Sequence, residues 1–239
     1  MNPVDLFICA FERQEYTAET IKYLRERTRH PYRLFLIDNG GNEYFKDKVN
    51  HYIQLRPNMG IMAAWNIALE LAETEYFITS DNDIYVPKLE PDWLTQMVRF
   101  MDDRLDYGAI SLHPHVFIGA AGIDPADPED VKDRNMCGAV MRIMRTEMIR
   151  KVGGWDKVIR SQRNGEERCI AARLHSAGFK TGIATRIRAY HPFGGVKGNW
   201  GYAEEITPEM QGHNPALKDY VSSFDNPSAY DENTFLPKA

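Results

Sequence analysis

Two carboxylates one residue apart, Asp81 and Asp83 in Asp81-Asn82-Asp83, follow directly on the apolar run Tyr76-Phe77-Ile78-Thr79-Ser80. Such a pair at the end of a buried strand can share a divalent cation and hold a neighbouring ribose. Asp and Asn also favour turns and caps, so the tripeptide alone reads as a turn as well. Two further β-rich runs end in the same way: residues 5–10 lead into Phe11-Glu12-Arg13, and residues 32–37 into Asp38-Asn39-Gly40-Gly41. If the three runs are strands of one open sheet, their acids gather on the rim where such sheets bind ligands. A rim of acids has no affinity of its own for anions. A magnesium or manganese ion changes this, because it takes one or two carboxylates and leaves its other positions to water and phosphate oxygens.

The spacing between these runs supplies the elements that position them. Residues 16–29 keep Ile21, Leu24 and Thr28 at helical spacing, and Ala64, Ile67, Ala68 and Leu71 follow the i, i+3, i+4, i+7 rule. After the third run, Leu94, Met97, Val98 and Met101 repeat it behind Pro91 and Asp92, which suit a helix start. The order βαβαβα predicts an α/β fold with a mainly parallel, Rossmann-like sheet and right-handed crossovers. In the second half, residues 108–112, 137–144 and 180–184 read as strands. Residues 146–151 form a short helix stopped at Gly153-Gly154. Residues 166–177 form a longer one, with Ile170, Leu174 and Ala177 on one face and Gly178 as its stop. Residues 119–134, rich in Asp, Pro and Gly, read as a surface excursion. From residue 199 the chain is acid-rich with no apolar period, which predicts one domain over 1–198 and an arm or lid over 199–239.

The 239 residues are 43% apolar and 26% charged, with 17 Gly and 13 Pro, which excludes disordered and collagen-like chains. No uncharged apolar run nears the roughly 20 residues of a membrane-spanning helix, and no basic-then-apolar leader opens the chain. Cys9, Cys137 and Cys169 lie far apart with no CxxC pair, as core thiols of a reducing compartment do; zinc is not expected. The expectation is a cytoplasmic protein, at most peripheral to a membrane. A net charge of −5 argues against a nucleic-acid partner. Met97, Met101, Met141, Met144 and Met148 read as core fillers.

Taken in order, the motifs resemble those of glycosyltransferase family 2. Ala10-Phe11-Glu12-Arg13 stands where that family has a Thr-Tyr-Asn-Arg-like turn, and Asp38-Asn39-Gly40-Gly41 where it has Asp-Asn-Gly-Ser. Asn58-Met59-Gly60 and Ala64-Trp65-Asn66 match its Asn-x-Gly and Ala-Arg-Asn, and Asp81 and Asp83 its DxD. Gly153-Gly154-Trp155-Asp156 matches Gly-Gly-Phe-Asp. Residues 166–179 follow its Glu-Asp-x-x-Leu-x-x-Arg-Leu-x-x-Ala-Gly-Tyr pattern, and His191 is its closing histidine.

The resemblance implies a GT-A fold and an inverting transfer of a sugar from a nucleotide-sugar donor, first of all a UDP-sugar. The acceptor is a hydroxyl, on a glycan or another molecule, and the cofactor is Mn2+ or Mg2+. By it, Ala10, Glu12, Arg13, Asp38, Asn58, Gly60, Asn66, Asp81 and Asn82 line the donor, with Asp38 on the base. Asp83 and His191 hold the metal, and Asp81 holds the ribose or a metal-bound water. Glu167 is the base that takes the acceptor's proton, with Glu166 as its alternative; acids at a helix N-terminus also meet the macrodipole favourably. Trp155 and Asp156 border the acceptor, and Trp155 reads equally as core. Three departures bear on donor identity and chemistry: Glu167 replaces an Asp, Trp65 an Arg, and Glu12 an Asn. Arg160, Arg163 or Arg168 could attract an acidic acceptor, and Gly194, Gly195 and Gly198 could let the tail close over the donor. Two other readings compete. A sugar-phosphate nucleotidyltransferase wants a glycine-rich basic loop after the first strand, which Ala10-Phe11-Glu12-Arg13 lacks. A binding protein without turnover follows if Glu167 cannot act as base.

Overall fold

The computed structural model describes residues 1–40, 43–114, 129–156, 165–191 and 233. Strands β1 (Val4–Ala10) and β2 (Tyr32–Asp38) pair in parallel, from Val4 against Tyr32 to Ala10 against Asp38. β3 (His51–Gln54) extends this parallel sheet beyond β2, and β4 (Tyr76–Asp81) lies parallel on the other side of β1. The remaining strands are β5 (Tyr107–Pro114), β6 (Val131–Asp133), β7 (Arg142–Arg145) and β8 (Lys180–Ala189). The full order is β3-β2-β1-β4-β7-β5-β8-β6, with β7 and β6 antiparallel to their neighbours.

Alternation along β1 divides the core in two: Leu6 and Ile8 enter one apolar cluster, Phe7 and Cys9 the other. A sheet apolar on both faces must be covered on both. Helices α1 (Gln14–Arg27) and α3 (Trp93–Asp102) cover the first with Ile21, Leu24, Trp93, Leu94, Met97 and Met101. Helices α2 (Ile61–Leu71), α4 (Thr146–Lys151) and α5 (Gly165–Ser176) cover the second with Ala64, Trp65, Ala68, Ile149, Ile170 and Leu174. α3 starts where Asp92 predicts: its carboxylate accepts from the Leu94 and Thr95 amides at 3.2 and 3.4 Å, satisfying donors that a helix start leaves open. Met97, Met101, Met141 and Met144 are fully buried.

Several boundaries differ from the sequence reading. Within the 137–144 run only Arg142–Arg145 is a strand, because Met141 takes a left-handed φ of 45° and breaks the ladder. The expected excursion contains the edge strand β6, and β8 runs on to Ala189 rather than stopping at 184. α2 is rotated from its expected face: Trp65 and Leu69 are buried, whereas Leu71 is 40% exposed. On α5, Ala171 is buried and Ala177 exposed. No helix among the described residues is long and apolar enough to cross a membrane. The proposed arm falls outside the described residues except for Asn233, whose carbonyl accepts from the Lys88 amide at 2.8 Å. Gly41, Arg160, Arg163, Gly194, Gly195, Gly198 and the larger part of 119–134 also lie outside them.

Candidate active site

β1 and β4 are neighbours from which the strand order runs both ways, β1 leading to β2 in one direction and β4 to β5 in the other, so the crevice at their C-terminal ends is the switch point of the sheet. The turn after β1 is strained: Glu12 and Arg13, neither a glycine, have φ of 54° and 51°. Asn82 keeps it in place. Its amide nitrogen donates to the Glu12 carbonyl at 3.3 Å and to the Thr17 hydroxyl at 2.7 Å, and Thr20 donates to its carbonyl at 2.9 Å. Asn82 thereby fastens the acidic turn after β4 to the turn after β1. A cavity of about 460 Å³ opens beside this turn, lined by Glu12, Arg13, Gln14, Glu15 and Tyr16.

Asp83 is buried between a guanidinium and an imidazole. Arg13 donates to its Oδ2 at 2.8 Å, and His191 Nε2 lies 3.2 Å from its Oδ1. His191 is brought there by an antiparallel bridge beyond the end of β8, where Tyr85 and Tyr190 exchange backbone hydrogen bonds of 2.8 and 2.9 Å. One ligand atom from each of Asp81, Asp83 and His191 lies within 4.8 Å of the others. Burial penalises charge throughout this group. It raises the Asp81 carboxyl above the usual range, reinforced by Asp83, Glu166 and Glu167. Burial would raise Asp83 too, but His191 and Arg13 outweigh it and hold Asp83 low. Burial would lower His191, yet Asp83 and Asp81 hold it above its ordinary value. A buried and a half-buried acid sharing one imidazole form a donor set suited to Mn2+ or Mg2+, and these residues fit such an ion.

The loop before β7 links this group to α5. The Asp81 amide donates to the Ala139 carbonyl at 3.0 Å, and Glu167, in the first turn of α5, accepts from the Ala139 backbone. Glu167 Oε1 lies 3.3 Å from where a side chain on Gly138 would begin. Burial, and then the charge of Glu166, raise the Glu167 carboxyl above its ordinary value, partly offset by Arg142. Arg142 is fully buried at the start of β7. It donates to Thr79 Oγ1 at 3.0 and 3.2 Å and to the Cys137 carbonyl at 2.7 Å, with its guanidinium 5.4 Å from the Trp155 ring. Its role was not foreseen in the sequence; the one signal is a charged residue inside an otherwise apolar run.

Other candidates have their side chains engaged within the protein. Asp38 is buried and accepts from the Gly40 and Glu43 amides, each at 3.1 Å, and from the Tyr52 hydroxyl. Ala10 closes the same corner, its carbonyl accepting from the Asn39 amide at 2.8 Å, and the Phe11 ring comes within 3.4 Å of where a Gly40 side chain would begin. Asn58 accepts from the Gly60 amide at 2.8 Å, a turn that leads into α2. Asn66 is committed to Trp155: it donates to the Trp155 carbonyl at 3.1 Å and accepts from the Trp155 amide at 2.9 Å. That pairing explains Gly154, which has φ of 64° and where a Cβ would meet Asn66 Oδ1 at 2.7 Å. Trp155 is fully buried, and its indole nitrogen donates to the Glu166 carbonyl at 3.1 Å. It therefore presents no surface of its own and instead anchors the backbone at the start of α5. Asp156 pairs with Arg173, and Trp65, expected near the donor, is wholly within the core. Arg168 is exposed, with Nε 3.5 Å from the Met136 sulfur.

The sequence matches the family model described as Glycosyl transferase family 2 over residues 5–164. The chain belongs to glycosyl transferase family 2. No curated protein matches it in sequence. Among solved structures it is similar to the mannosyltransferase PcManGT from Pyrobaculum calidifontis, in complex with GDP-Man and Mn2+. The TM-score is 0.65 at 14% identity, over 84% of this chain and 59% of that one. GalNAc-T7 with UDP, GalNAc and Mn2+ gives 0.63 at 12% identity, over 80% of this chain and 44% of that one. TarS from S. aureus gives 0.60 at 16% identity, over 95% and 71%. At these identities the likeness is one of fold, GT-A. This family 2 chain spans little more than half of the mannosyltransferase and less than half of GalNAc-T7.

Proposed function

We propose that this chain transfers a sugar, with inversion at the anomeric carbon, from a nucleoside-diphosphate donor to an acceptor hydroxyl. The observation that carries the reading is the convergence of Asp81, Asp83 and His191 within 4.8 Å at the switch point of the sheet. They would hold Mn2+ or Mg2+, which when bound supplies Lewis-acid stabilisation of the charge on the departing diphosphate. The nucleotides named with the fold neighbours are diphosphates, GDP-Man and UDP, and UDP-sugars are the first to test. The corner formed by Ala10, Phe11 and Asp38 supports a base pocket, with Asp38 held by Tyr52 and two backbone amides.

In the transfer, an acceptor oxygen forms the new bond to the anomeric carbon from the face opposite the nucleotide. The old C–O bond breaks and its electron pair leaves with the diphosphate. Glu167 takes the acceptor's proton. Its raised pKa makes it a better proton acceptor than an exposed carboxylate, and a positioned base contributes typically 10²–10⁴-fold. Trp155, by holding the Glu166 backbone, keeps the start of α5 fixed beneath the acceptor.

The test is nucleotide release from UDP- and GDP-sugars with Mn2+, paired with calorimetric nucleotide binding. Glu167→Gln is expected to bind nucleotide as the parent does while turnover falls about 10²–10⁴-fold; equal turnover would retire Glu167 as the base. NMR of the product's anomeric centre reads the stereochemistry, and a retained configuration would refute inversion.

A further inference from the structure

Asp83 has two carboxylate oxygens, and they face different partners. Oδ2 accepts from Arg13 at 2.8 Å, while Oδ1 lies 3.2 Å from the Nε2 of His191, which together with Asp81 and Asp83 forms the candidate metal group. The Asp83 side chain is 3% exposed, so it has little room to rotate and exchange the two oxygens. The Arg13 side chain is 24% exposed, but it starts from a backbone that is left-handed at φ 51°, within the turn fastened by Asn82. A guanidinium in a charge-assisted hydrogen bond directs one fixed N–H at one oxygen. A separation of 3.2 Å between Oδ1 and the imidazole nitrogen is close to the roughly 3 Å between adjacent ligands of a small octahedral ion, each about 2.1 Å from it.

We propose that Arg13 is a specificity-determining residue of the metal site: by occupying Oδ2 it confines Asp83 to one-oxygen coordination. This rests on the metal reading given above and extends it to the choice of ion. Mg2+ and Mn2+ take six ligands at short distance and accept a one-oxygen carboxylate. Ca2+ takes six to eight oxygens at 2.3–2.6 Å and gains from carboxylates that bind through both. Arg13 thus withholds from Ca2+ the second oxygen that the larger ion would use, and leaves coordination positions open for the diphosphate.

The experiment measures Mn2+ binding to the full chain by electron paramagnetic resonance, with and without UDP, and its displacement by Ca2+. The parent is expected to favour Mn2+, and Arg13→Met to lower the Mn2+-to-Ca2+ affinity ratio at least tenfold. Arg13→Lys, which keeps a cationic donor, restores part of the preference. Arg13→Gln provides the same comparison should Arg13→Met not fold. If Arg13 merely braced the turn, both affinities would fall together; an unchanged ratio in a variant that still binds metal overturns the proposal and leaves the metal reading standing. Failure of the parent to bind Mn2+, with Asp83→Ala indistinguishable from it, removes both.

Discussion

Asp5 and Asp83 are both buried aspartates, one at the start of β1 and the other just past the end of β4, and their surroundings are opposite. Asp5 is saturated by donors. Arg33 grips both its oxygens at 2.6 and 2.8 Å, the Glu73 and Thr74 amides add 2.8 and 3.3 Å, and Glu73 in turn pairs with Arg33. Asp83 has Arg13 and His191, but Asp81 shares its imidazole, and Glu166 and Glu167 add their charges to Asp81. At the N-terminal end of the sheet charge is balanced locally and serves as a staple. At the C-terminal rim negative charge is left in excess over the cations that face it, which is a poor way to stabilise a fold and a good way to hold a divalent ion.

The largest effect expected from breaking this contrast is at Asp83. Asp83→Ala removes the carboxylate on which Arg13 and His191 converge, and should abolish Mn2+-dependent nucleotide binding in calorimetry, with transfer falling below detection. Retention of metal-dependent binding by this variant would mean that the ion is held elsewhere.

Next in size is the staple. Asp5→Asn leaves Arg33 without its buried partner and should lower stability by about 2 kcal/mol. That is less than the 3–5 kcal/mol of a fully buried pair, because Arg33 is 35% exposed and partly screened by water. Nucleotide binding by the folded variant should match the parent. The pH dependence has a definite sign. Burial would raise the Asp5 carboxyl, but Arg33 and the Glu73 amide outweigh it and hold it low. Its contribution is therefore full above the unfolded value of about 3.9 and is lost as pH falls through the lower folded value. Urea midpoints of parent and variant should differ most near neutral pH and converge once the pH has fallen below the lowered folded value; a constant difference would show that charge is not the cause.

The rim was more legible in the sequence than the framework behind it. Asp38, Asp81 and Asp83 follow long apolar strands, so their place at strand ends follows from the run boundaries. His191 came from the family resemblance, because the Tyr85–Tyr190 bridge that delivers it joins residues more than a hundred positions apart and leaves no local periodicity. β3 and β6 are short edge strands whose pairing comes from neighbouring strands and not from their own composition. Asn66 reads as a ligand-facing amide until its reciprocal bonds to Trp155 are seen, and a residue type cannot announce whether its partner is substrate or backbone. Arg142 was hidden for the same reason: its partners Thr79 and Cys137 are neighbours only once β4 and β7 have paired.

The smallest effect sharpens the contrast further. Asp81 is destabilised by burial and by Asp83, Glu166 and Glu167, with His191 as the counteracting charge. An acid whose folded pKa is raised opposes folding once pH exceeds its unfolded value, the reverse of Asp5. Asp81→Asn should therefore stabilise the protein when metal is chelated, by roughly 2–4 °C in melting temperature for about 1 kcal/mol in a domain of this size. With Mn2+ and UDP the order should invert, since the parent gains binding energy that the variant has lost. Melting curves with chelator and with metal check both halves. If Asp81→Asn melts lower than the parent under chelation, then the rim acids brace the fold as Asp5 does, and the division of the sheet into a stapled end and a working end fails.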